Sequence, residues 1–236
     1  MEPRDDRLPP SPAASRAPAL SPAAFIRANL PPVPAPGAPE LRLHLAHPGS
    51  GLRRYLEAGD PRSDAPAPYW AYAWGGGVAL ARYLLDRPAL AAGRRVLDLG
   101  AGSGLVGIAA AKAGAVEVLA AEIDANGLAA IPLNAALNGV TVRTLGEDLL
   151  DPRSTLPSVD LVLVGDLFYA AGLAERTAAF LDRCLAAGME VVVGDPYRSF
   201  LPRARLRLLA DYPAPDFGDG AGGRASRAAV FAFIAP

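Results

Sequence analysis

The stretch VLDLGAGSGLVG, Val96 to Gly107, carries the clearest chemical signal in the chain. An apolar run enters an acid, Asp98, and then glycines at 100, 102, 104 and 107 ahead of an alanine-rich segment. Glycines in Gly-x-Gly-x-Gly spacing let the backbone pass close to a ligand, because no Cβ intervenes and positive φ costs little. A helix that opens directly afterwards aims free N–H groups at the same place. Gly102, Gly104 and Gly107 also satisfy the dinucleotide pattern GxGxxG, so the glycines alone fit several nucleotide-like ligands. Asp98 separates them, since a carboxylate two residues ahead of Gly100 repels a pyrophosphate and attracts a cation. S-adenosylmethionine offers two cationic groups, an α-ammonium and a sulfonium. The motif therefore points to methyl transfer, with Asp98, Gly100, Gly102 and Gly104 at the donor.

Four later segments read as strands that finish in polar residues, and ligands of α/β sheets sit beyond such carboxyl ends. AAEID places Glu122 about twenty residues past the glycine turn, where an acid accepts ribose hydroxyls; the alternative is a simple cap. Asp124 more simply opens the next helix. In GEDLL, Asp148 either accepts from the adenine amino group or is a solvated loop acid. GDLFY sets Asp166, Phe168 and Tyr169 at the tip opposite the glycine turn, where a methyl acceptor has to lie; the lesser alternative for Asp166 is the cap of the helix near Leu173. In GDPY, Asp195 is a substrate contact or an ordinary Asp-Pro turn. PYWAYAWGGG, Pro68 to Gly77, holds both tryptophans, and Trp74 beside three glycines suits a wall over a flat or cationic ligand, whereas Trp70 and Tyr72 suit a packed lid. Asp166 and Tyr169 are thus the candidate catalytic pair, and Phe168, Tyr169 and Asp195 the candidate substrate contacts.

These groups need a scaffold, and 236 residues with 51% hydrophobic content suffice for one core in a single domain. A net charge of −1 supplies no global field for nucleic acid or an anionic membrane. No run approaches the 18 or so apolar residues of a membrane helix. Cys184 stands alone, which argues for a reducing, cytoplasmic setting, and with only His44 and His47 beside it no metal set is expected. We read Cys184 and both histidines as structural. A monomer is expected.

Met1 to Leu20 reads as a disordered Pro/Ala-rich tail, and residues 21–70 as an extension before a methyl-transfer domain over 71–236. Within the extension, Ser21 and Pro22 open a short helix to Leu30, prolines force an extended path to Glu40, and Leu41 to Ala46 alternates as a strand. Gly59 to Pro68 reads as a loop, and Ala71 to Leu85 as a helix that Gly75 to Gly77 weaken. Strands follow at 95–99, 116–122, 140–144, 159–164, 190–193, 206–211 and 229–234, with helices at 105–113, 126–137 and 173–187. The alternation predicts a Rossmann-like α/β fold, a mostly parallel seven-stranded sheet covered on both faces, its last strand antiparallel.

PYWAYAWGGG, VLDLGAGSG, AAEID, LNAALNG, GDLFY and VVVGDP, in this order, resemble the seven-strand class I protein-lysine methyltransferases, most closely the branch that acts on the electron transfer flavoprotein β subunit. FIRAN (Phe25 to Asn29) and PELRLHLA (Pro39 to Ala46) are similar to the front end of bacterial members. The resemblance implies S-adenosylmethionine as donor, held around Asp98, Gly100, Gly102, Glu122 and Trp74, and a protein lysine as acceptor near Asp166 to Tyr169. Ala121 and Glu122 stand where members often carry Asn-Asp, and His47 to Ala67 departs from the usual sequence.

Overall fold

The computed structural model describes residues 20–59, 67–213 and 227–235. Nearly all of the expected tail, and the inner parts of the loops expected at 59–68 and 213–223, lie outside the described residues.

Helix α1 (Pro22–Asn29) begins as its sequence dictates: Ser21 is extended, its Oγ accepts from the Ala24 N–H at 3.4 Å, and Pro22 occupies the first turn. The prolines beyond it do more than extend the chain. Strand β1 (Pro32–Ala35) folds back on β2 (Ala38–His44) as an antiparallel hairpin, turned at Gly37 with φ +70°. Pro32 and Pro34 have no N–H to donate and so fit an edge strand. Helix α2 (Leu52–Gly59), which the sequence reading did not anticipate, docks through Tyr55. That ring stacks on Phe25 at 3.9 Å between centroids, and its hydroxyl donates to Asn126 at 3.0 Å.

Helix α3 (Gly75–Asp86) precedes the alternating part: β3 (Arg95–Leu99), α4 (Leu105–Lys112), β4 (Glu117–Ala121), α5 (Ala125–Leu137), β5 (Arg143–Leu145), β6 (Leu161–Gly165), α6 (Ala171–Ala186), β7 (Glu190–Asp195), β8 (Leu206–Pro213) and β9 (Arg227–Phe233). The sheet order is β5-β4-β3-β6-β7-β9-β8, parallel except for β9, which runs antiparallel to both β7 and β8. The expected seven strands and antiparallel last strand are present; the third is shorter than the sequence suggests. Strand order reverses between β3 and β6, so the crevice lies over their carboxyl ends.

Side chains alternate across the sheet. Val96, Val118, Leu161, Leu163 and Val192 face a core with α3, α4 and the hairpin. Leu97, Leu99, Val162, Val164 and Val193 face a second core that holds Cys184, whose thiol burial pushes up to about 12. Asp98 shares the α4 face with Val96, because both lie at even steps along β3.

The glycine triplet that weakens α3 has a packing reason. A Cβ on Gly76 would sit 2.3 Å from Gly194 O, and one on Gly194 2.2 Å from Gly76 O. Only a helix start without side chains can cross the ends of β6 and β7 this closely.

Candidate active site

A cavity of about 480 Å³ opens over β3, β4 and β6, within the range of about 300–1,000 Å³ usual for small-ligand sites. Its glycine turn behaves as the spacing requires, with φ of +68°, +54° and +82° at Gly100, Gly102 and Gly104. Gly100 and Gly102 line the cavity. Gly104 does not: it caps α4, and a Cβ there would press on Ile131 at 3.2 Å, so it shapes the turn without touching the ligand space. The acidic character extends beyond Asp98. Asp98, Glu122, Asp124, Glu147, Asp148 and Asp166 all line the space against a single basic residue, Arg198, among the described residues.

Asp98 is 1% exposed, and its Oδ2 accepts the Gly107 N–H at 2.8 Å, tying the strand end to α4. Burial, with a smaller push from Glu122, raises its carboxyl to about 7 despite that hydrogen bond. Such a group gains most from a cation placed beside it. Glu122 is held from three sides: Oε2 accepts from Gly102 N at 2.7 Å, and Oε1 from Ile123 N at 2.7 Å and Asp124 N at 2.8 Å. A carboxylate has about four acceptor positions, so Glu122 can take one hydroxyl without releasing the turn it supports. Asp124 caps α5 through Asn126 N, as its position suggested. Asp148 accepts from Leu150 N at 3.0 Å and pairs with Arg176 at 2.5 Å on the far rim.

At the other end stand the aromatics. Trp74 donates Nε1–H to Tyr69 O at 2.8 Å, and Tyr69 packs against both Trp74 and Tyr169, with centroids 5.6 and 5.3 Å apart. Trp74, Tyr69 and Tyr169 line the cavity, the last 42% exposed. Trp70, 1% exposed, is buried as expected, but against α1 and α5 and not on the sheet, and both it and Tyr72 also line the cavity.

Asp166 takes φ +59° just beyond β6. It does not cap α6, whose N-cap is Ala170. It serves another helix: Oδ2 accepts from Gly77 N at 2.7 Å, in the first turn of α3, while Oδ1 accepts from Arg198 Nη2 at 2.9 Å. Burial raises its carboxyl and Arg198 opposes that shift most strongly.

Two expected substrate contacts are corrected. Phe168 is 0% exposed within the second core and does not line the cavity, because the turn at Asp166 rotates it inward. Asp195 is also fully buried and off the cavity wall; its Oδ1 accepts the Arg198 N–H at 2.7 Å, so the Asp-Pro turn reading holds. The histidines are structural as expected. His44 Nδ1 makes a short hydrogen bond to Leu30 O, and His47 Nε2 bonds Asn29 O at 3.2 Å.

Two further lining residues are Arg198, visible in the sequence only as a basic residue after GDPY, and Ile123, an apolar side chain 71% exposed on the cavity wall. The LNAALNG asparagines, which spacing alone does not mark, hold the site's support together. Asn134 accepts from His44 N at 2.8 Å and donates to Ser103 O at 2.8 Å, and Asn138 bonds both polar backbone groups of Arg42. They join hairpin, α5 and glycine turn.

A doubly wound sheet with its antiparallel strand beside β7, and an acid-lined cavity at the glycine turn, define a class I, Rossmann-like methyltransferase. Comparison with known proteins narrows the class. Residues 70–200 match the family model described as lysine methyltransferase, and the chain belongs to that family. It is therefore a protein-lysine N-methyltransferase that takes its methyl group from S-adenosylmethionine. The chain is 39% identical over 186 residues to the electron transfer flavoprotein beta subunit lysine methyltransferase of Rattus norvegicus, covering 75% of this chain and 70% of that one. It is 40% identical over 206 residues to the Xenopus laevis protein of the same name, covering 85% and 82%. Among solved structures, a putative RNA methyltransferase from Pyrococcus horikoshii shares the fold, with a TM-score of 0.53 over 78% of this chain and 100% of that one at 16% identity.

Proposed function

We propose that the protein methylates lysine side chains of an electron transfer flavoprotein β subunit. The observation that carries the reading is one cavity with two unlike ends, an acid-lined glycine turn at one and Asp166 among aromatics at the other. The substrate rests on the names of relatives that match most of the chain.

The residues present fit the donor. Asp98, buried and short of positive partners, would take the α-ammonium, Glu122 a ribose hydroxyl, and Asp148 the adenine amino group, with Ile123 against the flat ring. S-adenosylmethionine supplies an electrophilic methyl group. The chain's own task is to present a neutral amine. A free lysine with pKa near 10.4 is neutral roughly once in 2,500 molecules at pH 7, a cost of about 4.6 kcal/mol. Trp74 and Tyr169 exclude water from the amine and so favour its neutral form. Tyr169 itself, raised above the ordinary phenol range chiefly by burial, works as a neutral hydroxyl and not as a base. Asp166 accepts a hydrogen bond from the amine and aims its lone pair. The proton leaves to water beforehand.

A reducing, cytoplasmic setting and action as a monomer belong to the same proposal, the first supported by the buried thiol of Cys184. The test is transfer of labelled methyl from S-adenosylmethionine to purified electron transfer flavoprotein β subunit, with the modified residue mapped by mass spectrometry. Label on lysine supports the proposal; label confined to another protein of a lysate overturns the substrate.

A further inference from the structure

The acceptor end of the cavity carries a permanent cation that the transfer described above leaves unused. Arg198 is placed there by a built turn. Asp195 at the end of β7 accepts the Arg198 N–H at 2.7 Å, and Tyr197 between them takes φ +65°. The guanidinium is thereby sent across the sheet end to Asp166, with Nη2 2.9 Å from Oδ1 and the two side chains only 23% and 11% exposed. Its carbon lies 6.0 Å from the centre of the Trp74 ring.

We propose that Arg198 is a positioning residue that selects the neutral form of the acceptor: its fixed charge cancels that of Asp166, so an entering lysine is held as an amine and not trapped as an ammonium. The inference rests on the lysine-acceptor reading above. A buried carboxylate standing alone would pair with the ammonium and hold the nitrogen protonated, the form that cannot attack. With the guanidinium present, the charge of Asp166 is offset yet its carboxylate oxygen still aims the nitrogen; the other acids that bear on this end are Asp195, buried behind the turn and off the cavity wall, and Glu122 on the donor side. Arginine keeps its charge at every working pH, so the cancellation does not fade in alkali. The proton shed by the lysine passes to bulk water, and no protein group has to retain it. A like charge about 6 Å away, at an effective dielectric of about 20, lowers an ammonium pKa by about two units.

The test is the pH profile of methyl transfer from about pH 6 to about pH 10 at saturating S-adenosylmethionine, for wild type, Arg198→Gln, Arg198→Met and Arg198→Lys. Transfer is followed on the electron transfer flavoprotein β subunit or, should that protein take no label, on whichever lysate protein does. The rising limb of kcat in wild type is expected below the pKa of free lysine. In Arg198→Gln and Arg198→Met it moves up by about one to two pH units, a loss of about 10- to 100-fold at pH 7 that shrinks toward pH 10. Arg198→Lys keeps the charge and the wild-type limb. Either neutral variant serves if the other does not fold, as read from its thermal midpoint. An unmoved limb, or an equal loss at every pH, overturns the role of Arg198 and leaves the lysine-transfer reading standing. Absence of label from every protein overturns both.

Discussion

Burial and cation binding pull Asp98 in opposite directions, and one substitution separates them. Its carboxyl stays protonated to about pH 7 in the folded chain, against an ordinary 3.8. Between those values the folded state holds a proton that the unfolded state has released, so stability falls as pH rises and then levels above 7. Asp195, raised to about 6 mainly by burial, adds to the same slope. Asp98→Asn keeps an oxygen for Gly107 and removes the ionisation, so the free protein should gain stability at pH 8, by on the order of 4 kcal/mol at most, and little at pH 4. Calorimetric melting at both values checks it. The same variant should bind S-adenosylmethionine at least tenfold more weakly by titration calorimetry, since the cation loses its counter-charge. Asp166→Asn likewise keeps an acceptor for Gly77 but no charge, and should reduce turnover at least a hundredfold while donor affinity changes within a few fold. Unchanged turnover would remove Asp166 from the chemistry. Asp98 and Asp166 stand out in the sequence because they lie at the ends of apolar strands, at the sheet's carboxyl edge, and the structure puts both on the cavity wall; the same argument misplaces Asp195, which is buried and holds the turn to Arg198. Phe168 was not legible, because the left-handed turn at Asp166 breaks the alternation from which its direction was inferred.

Among the elements, the parallel strands and their helices could be read from apolar runs and glycine stops, whereas α2 and the hairpin could not. Alternation in Leu41 to Ala46 indicated β2, but the prolines of β1 speak against a strand until its exposed edge is known. Helix α2 is short, with its apolar residues closely spaced, and its docking through Tyr55 joins residues 30 and 71 positions apart. The start of α3 shows the opposite case, where local propensity argues against an element that tertiary packing requires. Gly76→Ala would bring its Cβ within 2.3 Å of Gly194 O and 2.8 Å of Asp166 Oδ2, neither free to move far. It should destabilise by about 1–3 kcal/mol or more. Gly77→Ala meets nothing nearer than Val106 Cγ2 at 3.7 Å, and should be neutral or slightly stabilising through helix propensity. Parallel denaturant melts of the two variants decide; equal effects would mean that α3 does not cross the strand ends as described.

At the scale of the whole molecule, the charges nearly balance while the cavity does not. Among the described residues six acids and one arginine line the space in a chain of net charge −1, so the site's negative character is local and reflects no general acidity. Composition alone could not show this, because the acids come from four segments that meet only when β3, β4, β5 and β6 align. A ligand there bridges the glycine turn, the α3 start and the aromatic segment, and its binding free energy adds to global stability by mass action. At a hundred times its dissociation constant, S-adenosylmethionine should add about 2.7 kcal/mol. For a domain of this size each kcal/mol raises the melting midpoint by about 2–4 °C, which makes the expected rise about 5–11 °C. NAD carries a pyrophosphate that would have to approach Asp98 and Glu122, so at equal concentration it should leave the midpoint unmoved. Differential scanning fluorimetry with each compound measures both outcomes. An equal rise with NAD would mean that the acids do not discriminate by charge, and the assignment of Asp98 to the α-ammonium would fall with it.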